Sequence, residues 1–108
     1  MNATIYHNPR CSKSREALRL LQEAGAEVEV VEYLKTPPWR DALVALLAAG
    51  GIAPRDALRP EADITARASD AAALDAMAAD PRLIERPIVM TDKGTLIARP
   101  PERVLELL

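Results

Sequence analysis

Cys11 is the only cysteine in a chain of 108 residues, and it lies in the stretch YHNPRCSKSREALRLL, residues 6–21. Arg10, Lys13 and Arg15 surround it, and His7 stands four residues upstream. A thiol with an ordinary pKa of about 8.5 is only a few per cent thiolate at neutral pH. A helix N-terminus offers unpaired backbone N–H groups and partial positive charge. With cationic neighbours, such a position brings a cysteine pKa to about 3.5–7.5. Ser12 and Ser14 add hydroxyls able to donate to the sulfur. The rival reading is a small core hydrophobe, the usual fate of a lone helical cysteine. The polar and basic surroundings favour a reactive thiolate.

Spacing narrows the chemistry. CSKS is C-x-x-S, so the attacking sulfur has no resolving partner in its own chain. An oxidised Cys11 must be cleared by an outside thiol, for which glutathione is the natural candidate. A phosphatase-type loop needs an arginine six residues after the cysteine, where this chain has Ala17. His7, close to Cys11 at the end of the preceding strand, suits a modest electrostatic role. One cysteine and one histidine do not complete a zinc site, and no bound metal or resident cofactor is expected.

The elements that must hold Cys11 follow from pattern. Ala3 to His7 reads as a short strand, broken by Asn8-Pro9. A helix is expected from about Cys11 to Ala24, with Ala17, Leu18, Leu21 and Ala24 at helical spacing and Gly25 as the stop. EVEVVEY, residues 27–33, reads as a strand whose acidic residues suit a sheet edge. A strand, a helix and a strand imply a parallel pair with a right-handed crossover. KTPPWRDALVALLAAGG predicts a helix in which Thr36 can cap and Leu43, Leu46 and Leu47 face inward. APRDALRPE reads as one turn stopped at Pro60. ASDAAALDAMAADP reads as a helix capped by Ser69 or Asp70. RPIVMTDKGTLIARP reads as a hairpin, Ile88 to Met90 against Leu96 and Ile97, turning through Asp92-Lys93-Gly94. A short amphipathic helix closes the chain. The order βαβ, helices, ββα implies an α/β, thioredoxin-like fold: a mixed four-stranded sheet with a helical insertion at about 37–82. Residues 1–108 are expected to form a single domain.

Bulk properties set outer limits. Apolar residues make up 49% of the chain, enough for a core, but there is no Phe and only one Trp, so Leu, Val, Ile and Ala must build it. The net charge of −2 argues against a broad nucleic-acid or anionic-membrane surface, though not against a local arginine cluster. No apolar run approaches a membrane span and the N-terminus does not read as a signal peptide. A single cysteine closes no internal disulfide. A cytoplasmic protein is expected.

IYHNPRCSKSREALRLL, VEYLKTPPWRDALVALL, DALRPE and RPIVMTDKGTLIARPPERVLELL, in this order, resemble the glutaredoxin-coupled arsenate reductases, the ArsC/Spx-type branch of the thioredoxin-like fold. The likeness covers nearly the whole chain. It implies an arsenate reductase in which a thiolate attacks arsenate, glutathione reduces the covalent arsenic adduct, and glutaredoxin clears the mixed disulfide. The family's HNP-x-C cysteine matches Cys11. The histidine thought to help the thiolate form matches His7. Ser14 closes the C-x-x-S motif beside them and is taken with Cys11 and His7 as catalytic. The three arginines that hold the oxyanion fall on Arg59, Arg86 and Arg99, and Pro87 matches the proline that is cis in thioredoxin-like folds. Guanidinium forks suit a tetrahedral dianion. Independently, Arg86 and Arg99 flank the far ends of the predicted hairpin, which an antiparallel pair brings together. The stretch between Arg59 and Arg86 is several residues shorter than in typical members. Two alternatives remain open: another glutathione-dependent thiol oxidoreductase, and an Spx-like transcription regulator that binds RNA polymerase, although many of those use a C-x-x-C switch that Ser14 excludes.

Overall fold

The structure, a computed structural model, describes residues 1–35 and 40–108. The cap expected at Thr36 and the start of the expected insertion therefore lie outside the described residues. The chain divides into two compact units, Met1–Thr36 with Arg86–Leu108, and Pro37–Glu85.

The first unit carries a four-stranded sheet: β1 (Asn2–Tyr6), β2 (Glu27–Val31), β3 (Ile88–Thr91) and β4 (Gly94–Ile97). The strand order is β2-β1-β3-β4. β1 and β2 are parallel, which requires a crossover, and helix α1 (Ser12–Glu23) supplies it. β1 pairs antiparallel with β3, and β3 with β4. The sheet is thus mixed, within an α/β, thioredoxin-like arrangement, and the acidic β2 does form an edge.

Alternation decides which face is covered. Ala3 and Ile5 of β1 are buried, and Ile5 pairs with Val89, which pairs with Leu96. With Ala17 and Leu21 of α1, and Val104 and Leu107 of the closing segment, they form one apolar cluster. Each Val, Leu or Ile side chain among them contributes roughly 1.5–3 kcal/mol when fully buried. Gly25 ends α1 at φ 83°, and the N–H groups of Gly25 and Ala26 return to the carbonyls of Gln22 and Leu21. That closure needs a left-handed residue, which favours glycine.

Three local expectations need adjustment. The strand in EVEVVEY stops at Val31, and Tyr33 is buried beyond it. The hairpin turns through Asp92 and Lys93 alone, because Gly94 already pairs with Thr91. The closing segment Pro101–Leu107 is a 3₁₀ helix, following Pro100-Pro101, rather than an α-helix. It still buries the apolar stripe Pro101, Val104, Leu107, since a three-residue period also puts those positions on one side.

The second unit holds helices α2 (Arg40–Ala49) and α3 (Asp70–Ala79), with 3₁₀ turns at Pro54–Ala57 and Pro81–Leu83. Ser69, not Asp70, caps α3 by accepting the Ala72 N–H at 3.0 Å. Leu43, Leu46, Leu47, Leu74 and Met77 are buried. A β-bridge between Leu58 and Ile84 ties the end of this unit to its middle. Its flanking bonds run from Arg59 N–H to the Leu83 carbonyl and from Glu85 N–H to the Ala57 carbonyl. No alternation around Leu58 or Ile84 is strong enough to announce so short a pairing.

Candidate active site

The loop between β1 and α1 is built by its own polar groups. The Asn8 side chain accepts the Arg10 N–H at 3.0 Å, the turn that Asn forms with the backbone two residues on. The Asn8 carbonyl accepts the Cys11 N–H at 3.0 Å. Cys11 then occupies the N-cap of α1, with φ −92° and ψ 121°, so its side chain stands at the helix entrance. Arg15, one turn into the helix, donates from Nη1 to the Pro9 carbonyl at 2.9 Å and ties the loop to the helix. Neither role of Asn8 was legible beyond its reading as a strand breaker.

Cys11 is partly buried. Burial pushes its thiol pKa up and is the largest single influence. It is outweighed by hydrogen bonds from the Ser14 backbone N–H, the Arg86 side chain and the Lys13 backbone N–H, and by the Arg86 charge. The pKa is therefore lowered. The donors at the helix start are amides, as for any group at an N-cap, which faces the N–H groups two and three residues on. The expectation that the Ser14 hydroxyl serves the sulfur is thus corrected: that hydroxyl is turned to the loop. Ser14 is fully buried, its Oγ accepts the Asn8 N–H at 3.1 Å, and it lies 2.7 Å from His7 Nδ1. The Nδ1–Oγ hydrogen bond fixes the imidazole ring against the start of α1. His7 is itself buried, and that burial lowers its pKa, with Glu32 raising it and Arg15 lowering it. His7 enters the site as a neutral ring locked to Ser14.

Arg86 and Arg99 converge as the two ends of the hairpin. The Arg86–Pro87 peptide is cis, and the Pro87 carbonyl accepts the Ala98 N–H at 2.9 Å. Arg99 Nη1 donates to the Arg86 carbonyl at 2.9 Å. Cys11, Arg86 and Arg99 are thereby joined within the first unit. Arg59 belongs to the second unit. Its guanidinium is mostly buried, with Nε 2.8 Å from Glu61 and Nη1 2.9 Å from Glu85. Both carboxylates come from residues whose pairing with Arg59 sequence spacing could not show. Among the described residues, no group of three or more His, Cys, Asp or Glu side chains could hold a metal ion.

A lowered-pKa sulfur beneath a forked cation can hold a negative nucleophile and receive an anion at the same place. Comparison with known proteins puts this geometry in a family. Residues 6–107 match the profile of the ArsC family. An arsenate reductase of Rhizobium meliloti strain 1021 is 45% identical over 115 residues, spanning 100% of this chain and 82% of its own length. The protein YfgD of Escherichia coli K12 is 46% identical over 111 residues, spanning 95% of this chain and 93% of its own. The solved arsenate reductase of Vibrio cholerae superposes with a TM-score of 0.90 at 41% identity, over 100% of this chain and 98% of that one. A full-length match, the same fold and the Cys11 loop at the expected place agree: the chain belongs to the ArsC family.

Proposed function

We propose that the protein reduces arsenate to arsenite through a covalent Cys11–arsenic intermediate. The observation that carries this reading is the Arg86 guanidinium on the Cys11 sulfur, with the thiol pKa lowered. Cys11 attacks arsenate, an S–As bond forms, and an arsenate oxygen leaves as water after protonation. Glutathione sulfur then forms an S–S bond with Cys11, and the S–As electron pair stays on arsenic. As(V) gains two electrons and leaves as arsenite, and two thiols become one disulfide. Glutaredoxin reduces the Cys11–glutathione disulfide, because C-x-x-S supplies no resolving thiol. Arg86 and Arg99 hold the oxyanion. His7 and Ser14 fix the loop that presents the sulfur. This cycle needs a reducing compartment, which makes the cytoplasm its setting. No helix among the described residues is long and apolar enough to cross a membrane.

The test is arsenate-dependent NADPH consumption coupled through glutathione, glutaredoxin and glutathione reductase. Turnover that requires both arsenate and Cys11 supports the reading. Turnover of a low-molecular-weight disulfide without any of arsenate would replace it with a general glutathione-dependent oxidoreductase, which the C-x-x-S motif also suits.

A further inference from the structure

A cleft opens beside the Cys11 loop, at the carboxyl ends of the parallel strands β1 and β2, and its walls are both within the first unit. One wall is His7, Asn8, Pro9 and Arg10; the other is Glu32, Leu34 and Lys35. Crevices at the carboxyl ends of parallel strands are where α/β sheets receive ligands. This one holds about 170 Å³. That is below the span of roughly 300–1,000 Å³ that takes a whole drug-sized molecule. It suits one amino-acid-sized arm of a larger ligand.

The charges around it are of both signs. Arg10 and Lys35 are cationic and Glu32 is anionic, while Pro9 and the exposed Leu34 supply apolar surface. Lys35 Nζ and Glu32 Oε1 lie 3.6 Å apart, and the lysine side chain is 77% exposed. Such an exposed pair contributes little, so a ligand can part it at small cost. An arm bearing one ammonium and one carboxylate on a short methylene stem matches both signs and the apolar surface. We propose that this cleft binds the γ-glutamyl arm of glutathione, its carboxylate on Lys35 and Arg10 and its ammonium on Glu32. The inference rests on the glutathione-dependent reading above and assigns the co-substrate a place. The thiol of the same tripeptide then approaches Cys11, whose N–H is bonded to Asn8 in the cleft wall.

Mixed-disulfide formation tests this without arsenate. Cys11 thiolate attacks oxidised glutathione, forming the Cys11–glutathione disulfide and releasing one glutathione thiolate. Hydroxyethyl disulfide reacts in the same way but carries no charge. Mass spectrometry gives both rates, and their ratio, set against the ratio for free N-acetylcysteine, isolates recognition of the charged arm. The wild-type ratio should exceed that of the free thiol. Lys35→Glu should lower it about tenfold, the scale of one charge-assisted hydrogen bond, and Lys35→Arg should retain it. Lys93→Glu, the same charge change at the hairpin turn, should lower it less than twofold if long-range charge is screened. The proposal is overturned by a wild-type ratio no greater than the free thiol's, or by equal effects of Lys35→Glu and Lys93→Glu. Absence of arsenate turnover would remove the reductase reading yet leave these rates to decide the cleft.

Discussion

The Arg86 side chain lowers the pKa of the Cys11 thiol through hydrogen bonding and charge, although the whole helical unit separates the two residues in sequence. In the proposed reaction the same guanidinium that favours the thiolate also meets the anion it attacks. Arg99 supports it from behind by donating to the Arg86 carbonyl. In that proposal, activation of the nucleophile and binding of the electrophile depend on one side chain at the end of a hairpin.

Cys11→Ser should abolish arsenate reduction, because a serine alkoxide forms no labile sulfur–arsenic bond. The coupled NADPH assay reads this directly. Residual turnover in the variant would refute the assignment of Cys11.

Arg86→Lys should raise the arsenate KM about tenfold, since lysine loses the planar fork that engages two oxyanion oxygens. It should also raise the midpoint of Cys11 alkylation by iodoacetamide by less than Arg86→Gln does, because lysine keeps the charge and glutamine removes it. An unchanged KM in both variants would exclude Arg86 from the substrate site.

Ser14→Ala should destabilise the fold by about 1–3 kcal/mol, the cost of leaving the buried Asn8 N–H without its acceptor. Urea unfolding followed by circular dichroism measures it. Cys11 alkylation should retain a lowered midpoint, since the Ser14 donor to the sulfur is its backbone N–H. A midpoint restored to that of a free thiol would mean the hydroxyl itself serves the sulfur.

The lowered Cys11 pKa has a stability signature. In the unfolded chain the thiol has its ordinary pKa of about 9.0. The folded state holds the thiolate more strongly, so its contribution is complete above that value. It is lost as pH falls through the lower folded pKa. His7, also lowered, acts in the same direction at lower pH: its contribution is complete above about 6.5 and lost as pH falls through its folded value. Urea unfolding of wild type and Cys11→Ser across this range should differ in slope between the folded Cys11 pKa and about 9.0. His7→Gln should remove slope only below about 6.5. Parallel curves for wild type and Cys11→Ser would show that the thiolate is not stabilised by folding.

Glu85→Gln should cost about 1.5–3 kcal/mol of stability, because the mostly buried Arg59 loses a charged partner 2.9 Å away. The bridge beside it, from Leu58 to Ile84, should then exchange its amides faster. Hydrogen exchange at Arg59 and Glu85 N–H reads the bridge, and unchanged protection would separate the ion pair from it.

The amino-acid sequence is enough to place the elements wherever the signals are local. Period and punctuation placed β1, α1 and the hairpin, because alternation, Asn8-Pro9 and Gly25 act over a few neighbouring residues. A lone cysteine at a helix start among basic residues announced a thiolate for the same reason, and the hairpin's symmetry grouped Arg86 with Arg99. Tertiary structure alone decided which donors reach the sulfur, that the Ser14 hydroxyl turns to His7 and Asn8, and that Arg59 is held by Glu61 and Glu85. Those outcomes depend on side-chain direction and on pairings between residues distant in the chain. Residue type and spacing fix what a group can do, but not the partner that competition for space and hydrogen bonds assigns to it.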